Sequence, residues 1–228
     1  MELVIVGLPA AADAAPEGVL PAVVAGVRVP TTPACREVTA IARKAYPPPL
    51  FNHALRAFVL ARALTPGEGL DDEVLYVAAL AHDLGMTDAY RSADRRFEID
   101  GADIARRVLL DHGRDANAAR IAWDAVALHA TGGIARWKEP EVRALVAGVG
   151  SDFSAWPDEA RRRIADDVFR AIPRTNFRAT FLAAAAEVAR AKPAYATGFV
   201  ADVGRRMVKD FAAPANFVDE WTKDGLPD

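Results

Sequence analysis

A chain of 228 residues that is 52% hydrophobic and 26% charged has enough apolar mass for one sizeable core and reads as a folded soluble protein. Its net charge of −3, with no stretch that forms a basic patch, excludes nucleic-acid backbone binding as its main task. The lone Cys35 excludes an internal disulfide and any zinc site built from cysteines alone.

The first 27 residues are apolar but carry no Lys or Arg, which argues against a signal peptide. Pro9, Pro16 and Pro21, with Asp13 and Glu17, break that run short of a membrane span, so a cytoplasmic protein off the membrane is expected. Residues 1–32 read as a loose N-terminal arm with one short strand at Leu3–Val6. Beyond it the apolar spacing is helical almost throughout. Helices are expected over 33–45, 50–64, 71–84, 98–112, 116–130, 139–151, 157–171, 176–191 and 197–210. Pro47-Pro48-Pro49 separates the first two, and Thr65-Pro66-Gly67-Glu68-Gly69 ends the second. Asp71-Asp72-Glu73 then places negative charge in a first turn, where the helix dipole favours it. Gly113 follows Asp111-His112 as a glycine that closes a helix. His112 itself reads as a capping or surface residue. No repeat and no long linker divides the chain, which predicts a single all-α domain over 33–210. The tail, 211–228, mixes Phe217 and Trp221 with charges and leaves a homo-oligomer open.

Three of the four histidines fall on helical stripes that are otherwise apolar. His53 shares its face with Leu50, Ala57, Leu60 and Leu64; His82 with Leu75, Ala78 and Ala79; His129 with Ala125. Two acids are also directed inward: Asp83 beside His82, and Asp152, which continues the stripe of Leu145, Gly148 and Val149. A buried carboxylate is costly unless something pairs with it. One divalent cation shared among these side chains accounts for all of them, because it neutralises the acids and accepts neutral imidazoles as donors. His82 and Asp83 lie 100° apart on a continuous helix, as successive residues do. Gly85 lets the helix stop there, so that both side chains turn toward one point.

The order His53, His82-Asp83, Asp152 resembles the H…HD…D pattern of the HD superfamily of metal-dependent hydrolases. The strings FNHALR (51–56), ALAHDLG (79–85), RFEIDGAD (96–103), WDAVALHATGGIA (123–135) and GVGSDF (148–153) are similar to its cyanamide-hydratase-like branch. The resemblance implies an all-helical HD-domain bundle with His53, His82, Asp83 and Asp152 around one divalent metal. Zinc is the metal that branch implies; manganese, nickel, iron and magnesium are those of other branches. The chain departs from the branch at Ala54, where Ser is common, and at Ala130-Thr131-Gly132, where Thr-Thr-Pro or Thr-Ser-Pro is expected.

An ion held this way keeps a position for water, lowers that water's pKa toward ~7 and polarises the electrophile it attacks. This serves addition to a nitrile-like carbon and displacement at phosphorus equally. Hydration of a small cyanamide-like molecule is the reading expected here, and a phosphohydrolase is the alternative. Besides Asp83, His129 is the candidate for moving a proton or orienting substrate, and it becomes a ligand if a second metal binds. Glu98 is a candidate acid–base group, although Glu98 and Asp100 also suit a helix start. Asn52, Arg56 and Thr131 are candidates for binding substrate, with Arg56 either gripping an anion or pairing with a buried carboxylate.

Overall fold

The computed structural model describes residues 22–66, 69–154 and 158–216. The strand expected at Leu3–Val6 lies outside these residues, as do Phe217 and Trp221.

Prolines and short polar side chains set where the helices begin. In α1 (Pro33–Ala45) the Thr32 hydroxyl accepts from the Cys35 N–H, and α2 (Pro48–Leu64) opens on Pro47 and Pro48. Proline suits such a start because the first helical N–H has no partner to lose. Asp71 caps α3 (Asp72–Ala81) by accepting from the N–H groups of Glu73 and Val74. Asp115 and Asp158 do the same for α5 (Ala116–Leu128) and α8 (Glu159–Ala171). Between and after these lie α4 (Phe97–Asp111), the one-turn α6 (Gly132–Ala135), α7 (Pro140–Ser151), α9 (Phe177–Ala191) and α10 (Gly198–Met207). The chain is all-α apart from one two-stranded hairpin among the described residues.

That hairpin corrects the expectation of a loose arm up to residue 32. Val23–Val24 (β1) pairs antiparallel with Val27–Arg28 (β2) through a turn in which Ala25 and Gly26 both have positive φ. The pairing carries Val24, Val27 and Val29 into the core, and their burial holds so short a ribbon in place.

α2 and α3 are apolar on nearly every side, as central helices must be, and the others wrap them. α2 lies along α7 at very short range. A Cβ added at Gly148 would run into the Ala57 carbonyl oxygen and come within 2.8 Å of the Ala61 Cβ. α3 stops at Ala81, short of the expected 84, and a 3-10 turn follows over Leu84–Met86. Gly85 makes that stop feasible, because a Cβ there would collide with the Phe97 carbonyl oxygen. Behind the turn, the buried ammonium of Lys192 meets Asp100 at 2.8 Å and ties the end of α9 to the start of α4. His112 closes α4 and pairs with Glu37 at 2.7 Å, which joins α4 to α1.

Two outcomes follow from this packing. Gly148→Ala separates α2 from α7 and lowers the melting temperature by about 5 °C in a thermal scan, the effect of overpacking by about 1–3 kcal/mol. Cys35 is buried, and burial pushes its thiol up from 9.0 to about 11. The unfolded thiol ionises first, so this contribution to stability is whole below pH 9 and is lost as the pH rises through about 11. Urea midpoints measured from pH 8 to 11 fall less steeply for Cys35→Ala than for the parent chain.

Candidate metal centre and the cavity beside it

The side chains singled out in the sequence gather where three helices end. His82 caps the C-terminus of α3, His129 that of α5 and Asp152 that of α7. The last carbonyls of a helix lack intrahelical partners, and both histidines use one of them. His82 Nδ1–H donates to Ala79 O and His129 Nδ1–H to Val126 O, each at 2.7 Å and each three residues back. The third histidine, His53 in the second turn of α2, donates Nδ1–H to Asp152 Oδ2 at 2.7 Å. With every Nδ1 engaged as donor, a neutral ring carries its lone pair on Nε2.

Those lone pairs face one another. His53 Nε2 and His82 Nε2 are 3.2 Å apart, and Asp83 Oδ2 lies 3.6 Å from the first and 3.2 Å from the second. Asp83 Oδ2 is buried and no N–H is aligned to donate to it. Three electron-rich atoms at this spacing repel unless a cation or a proton sits among them. Donors bound tetrahedrally at about 2.1 Å lie about 3.4 Å from one another, so the observed triangle fits a divalent ion. His53, His82 and Asp83 are the residues placed to hold it, all three buried. Imidazoles oriented through Nδ1 by a carbonyl or carboxylate are what such an ion requires.

The electrostatics have the same sense. Burial alone would raise the Asp83 carboxyl, but the proximity of the His82 imidazole, with those of His53 and His129, holds it far below the usual carboxylate range. Burial lowers His53, outweighing its bond to Asp152, whereas in His82 the pull of Asp83 overcomes burial and raises it. His129 stands one step out, its Nε2 3.7 Å from Asp83 Oδ1, and burial with the nearby His82 lowers it to about 4.

Asp152 is approached from every side. Arg56 donates through Nε at 2.9 and 3.1 Å and through Nη2 at 2.7 Å, and Arg174 Nε reaches Oδ1 at 3.0 Å. Arg56 is fully buried, and its Nη1 is held by the Pro173 carbonyl at 2.9 Å. Burial would raise the Asp152 carboxyl, and the bonds from His53 and Arg56 hold it low instead. In this arrangement its oxygens face the arginines and the back of His53, away from the three-atom triangle.

A cavity of about 610 Å³ opens beside the triangle, with His53, Asp83 and His129 in its wall. Of the other candidates, none has its side chain there. Arg56 lies behind Asp152, and the Asn52 amide reaches Pro173 O at 3.4 Å. Thr131 falls between the wall residues Ala130 and Gly132, but its hydroxyl donates back to Leu128 O. Glu98 is buried against Arg96, and its charge reaches His129 through space. The aromatic and basic side chains of the wall, Phe153, Arg174, Phe177, Arg178, Phe181 and Phe199, were not among the site residues expected from the sequence. The one available signal was the spacing of Phe177 and Phe181, four residues apart on one face of α9; Arg174 lies ahead of that helix.

Removing Arg56 leaves a buried carboxylate short of its main counter-ion. Arg56→Met lowers unfolding free energy by about 3–5 kcal/mol in urea titrations at pH 7, and adding Asp152→Asn restores part of the loss.

Residues 50–171 match the HD domain family, a span that runs from the first turn of α2 to the end of α8. Over 87 residues the chain is also 34% identical to the cyanamide hydratases DDI2 and DDI3 of Saccharomyces cerevisiae. Each of these matches covers 36% of this chain and 39% of the relative, so the aligned segment is well under half the length of either. His53, His82, Asp83, His129 and Asp152 all lie inside the family span, and the chain belongs to the HD domain family.

Proposed function

We propose that this chain is a metal-dependent enzyme that adds water to a nitrile-like carbon, in the manner of a cyanamide hydratase. The observation that carries the reading is the triangle of His53 Nε2, His82 Nε2 and the unpartnered Asp83 Oδ2, opening onto a cavity. HD domains bind divalent metals, and zinc is the ion proposed here, ahead of manganese, nickel, iron or magnesium. When bound, such an ion supplies a water of lowered pKa and an electrophilic contact for the substrate.

The chain's own residues do the rest. Asp152 and the Ala79 carbonyl fix the rings of His53 and His82 through Nδ1, so both Nε2 atoms are aimed at one point. His129, neutral down to about pH 4, accepts a hydrogen bond at Nε2 and so orients water or a substrate N–H beside Asp83. In the reaction the water oxygen bonds to the nitrile carbon and one C≡N pair moves onto nitrogen. That nitrogen takes up both water protons in the course of tautomerisation, and cyanamide becomes urea with no other reactant. The apolar lining gives this chemistry a site of low polarity, where charges act strongly on one another. The substrate is a small molecule. Among the described residues no helix is long and apolar enough to cross a membrane.

Metal analysis of freshly purified protein, paired with an assay of urea release from cyanamide, tests the reading. We expect about one divalent ion per chain and measurable urea. Asp83→Asn and His82→Ala lower metal content and reduce turnover at least about 100-fold, since both remove a donor. Cleavage of phosphate esters with no urea from cyanamide reverses the assignment in favour of phosphohydrolysis.

A further inference from the structure

Cyanamide has three non-hydrogen atoms, whereas the cavity beside the triangle, about 610 Å³, falls in the ~300–1,000 Å³ range of sites for drug-sized ligands. Its wall is aromatic. Phe177 stacks on the His53 ring at 4.7 Å, Phe181 lies 5.7 Å from Phe177, and Phe199 stacks on Phe181 at 5.5 Å. The rings form a continuous strip that starts at a metal donor and runs outward from it. Phe153 joins the strip 4.8 Å from Phe181 and still keeps 49% of its surface exposed. Val149 on α7 and Val203 on α10 add aliphatic surface. A three-atom polar substrate would leave nearly all of this unused.

The polar side chains of the lining are equally specific. Apart from His53, Asp83 and His129, they are Arg174 and Arg178. Arg174 is committed to Asp152, to which it donates from Nε and, at 2.6 Å, from Nη2 to the backbone carbonyl. Arg178, in the first turn of α9, is exposed and forms no ion pair with any described residue. Among the described residues it is a cation without a counter-charge, beside an apolar cavity.

We infer that the substrate carries an aromatic body on the Phe177–Phe181–Phe199 strip and an anionic group at Arg178, with its reacting group beside His53, Asp83 and His129. An N-aryl cyanamide bearing a carboxylate belongs to this class, and cyanamide is only its reactive end. The inference rests on the hydration reading above and is tested separately from it.

Urea, N-phenylurea and 4-ureidobenzoate are product-shaped, unreactive ligands that differ only in this body. In calorimetric titration of the zinc-loaded protein, N-phenylurea is expected to bind at least about tenfold more tightly than urea, from burial of the ring. The carboxylate adds about three- to fivefold, an increment lost in Arg178→Gln and suppressed by about 1 M salt. Phe181→Ala reduces the ring increment, and Phe199→Leu, which keeps the apolar volume, reduces it less. Should Phe181→Ala fail to fold, Phe199→Leu and Arg178→Gln decide. Equal affinity for all three ligands, or increments unchanged in those variants, overturns the inference. Turnover of cyanamide and phenylcyanamide is measured alongside. A steep affinity ladder with neither compound hydrated leaves the inference standing and removes the hydration reading. Hydration of cyanamide with a flat ladder does the reverse.

Discussion

An anionic oxygen and two imidazole lone pairs, all buried, face each other within 3.6 Å at the wall of the cavity. No arrangement of the surrounding protein makes that contact favourable without positive charge at its centre. The rest of the molecule is arranged around the need. Three helices direct their C-terminal ends at the spot, and each such end carries roughly half a negative charge from its aligned peptide dipoles. The backbone and Asp83 therefore attract a cation together. The same helix ends supply the spare carbonyls that hold the histidine rings, so electrostatics and orientation share one structural device.

Holding such a point rigid requires the helices to be held. α2 brings His53 to the centre, and α2 reaches it because α7 lies almost against its backbone at Gly148. Gly85 lets the chain turn sharply after His82, and the Lys192–Asp100 pair braces that turn from behind. Arg56 and Arg174 neutralise Asp152, a charge that otherwise would be stranded in the core. Much of the polar architecture thus serves the placement of a few donor atoms to within a fraction of an ångström.

Part of this was legible from spacing. Histidines on apolar stripes with inward acids predicted a convergence, and Gly85 predicted that α3 would break near the pair, though it ends three residues earlier than expected, at Ala81. Arg56 stood one turn from His53, which suited gripping an anion and pairing with a buried carboxylate equally; only the position of Asp152 opposite it decides between them. The aromatic wall was not legible. Phe177 and Phe181 repeat at the spacing of any core helix, and nothing in α9 alone tells which neighbour its apolar face meets. Likewise β1 and β2, at two residues each, are too short for alternation to register, and Ala25 is an unexpected occupant of a turn that needs positive φ. Long-range packing, invisible to local pattern, accounts for each of these omissions.

Arg174 occupies a singular place in this scheme. One face of its guanidinium looks onto Phe177 at 5.4 Å in the cavity wall, while its edge grips Asp152, whose other oxygen sets the tilt of His53. Remodelling the cavity at that residue therefore also disturbs the geometry of the reactive centre. Divergence toward new substrates has freer scope at the distal rim, around Phe199 and Val203, where reshaping leaves the imidazoles undisturbed. Descendants of this chain would be expected to vary at that rim first, with the arginine as their common anchor.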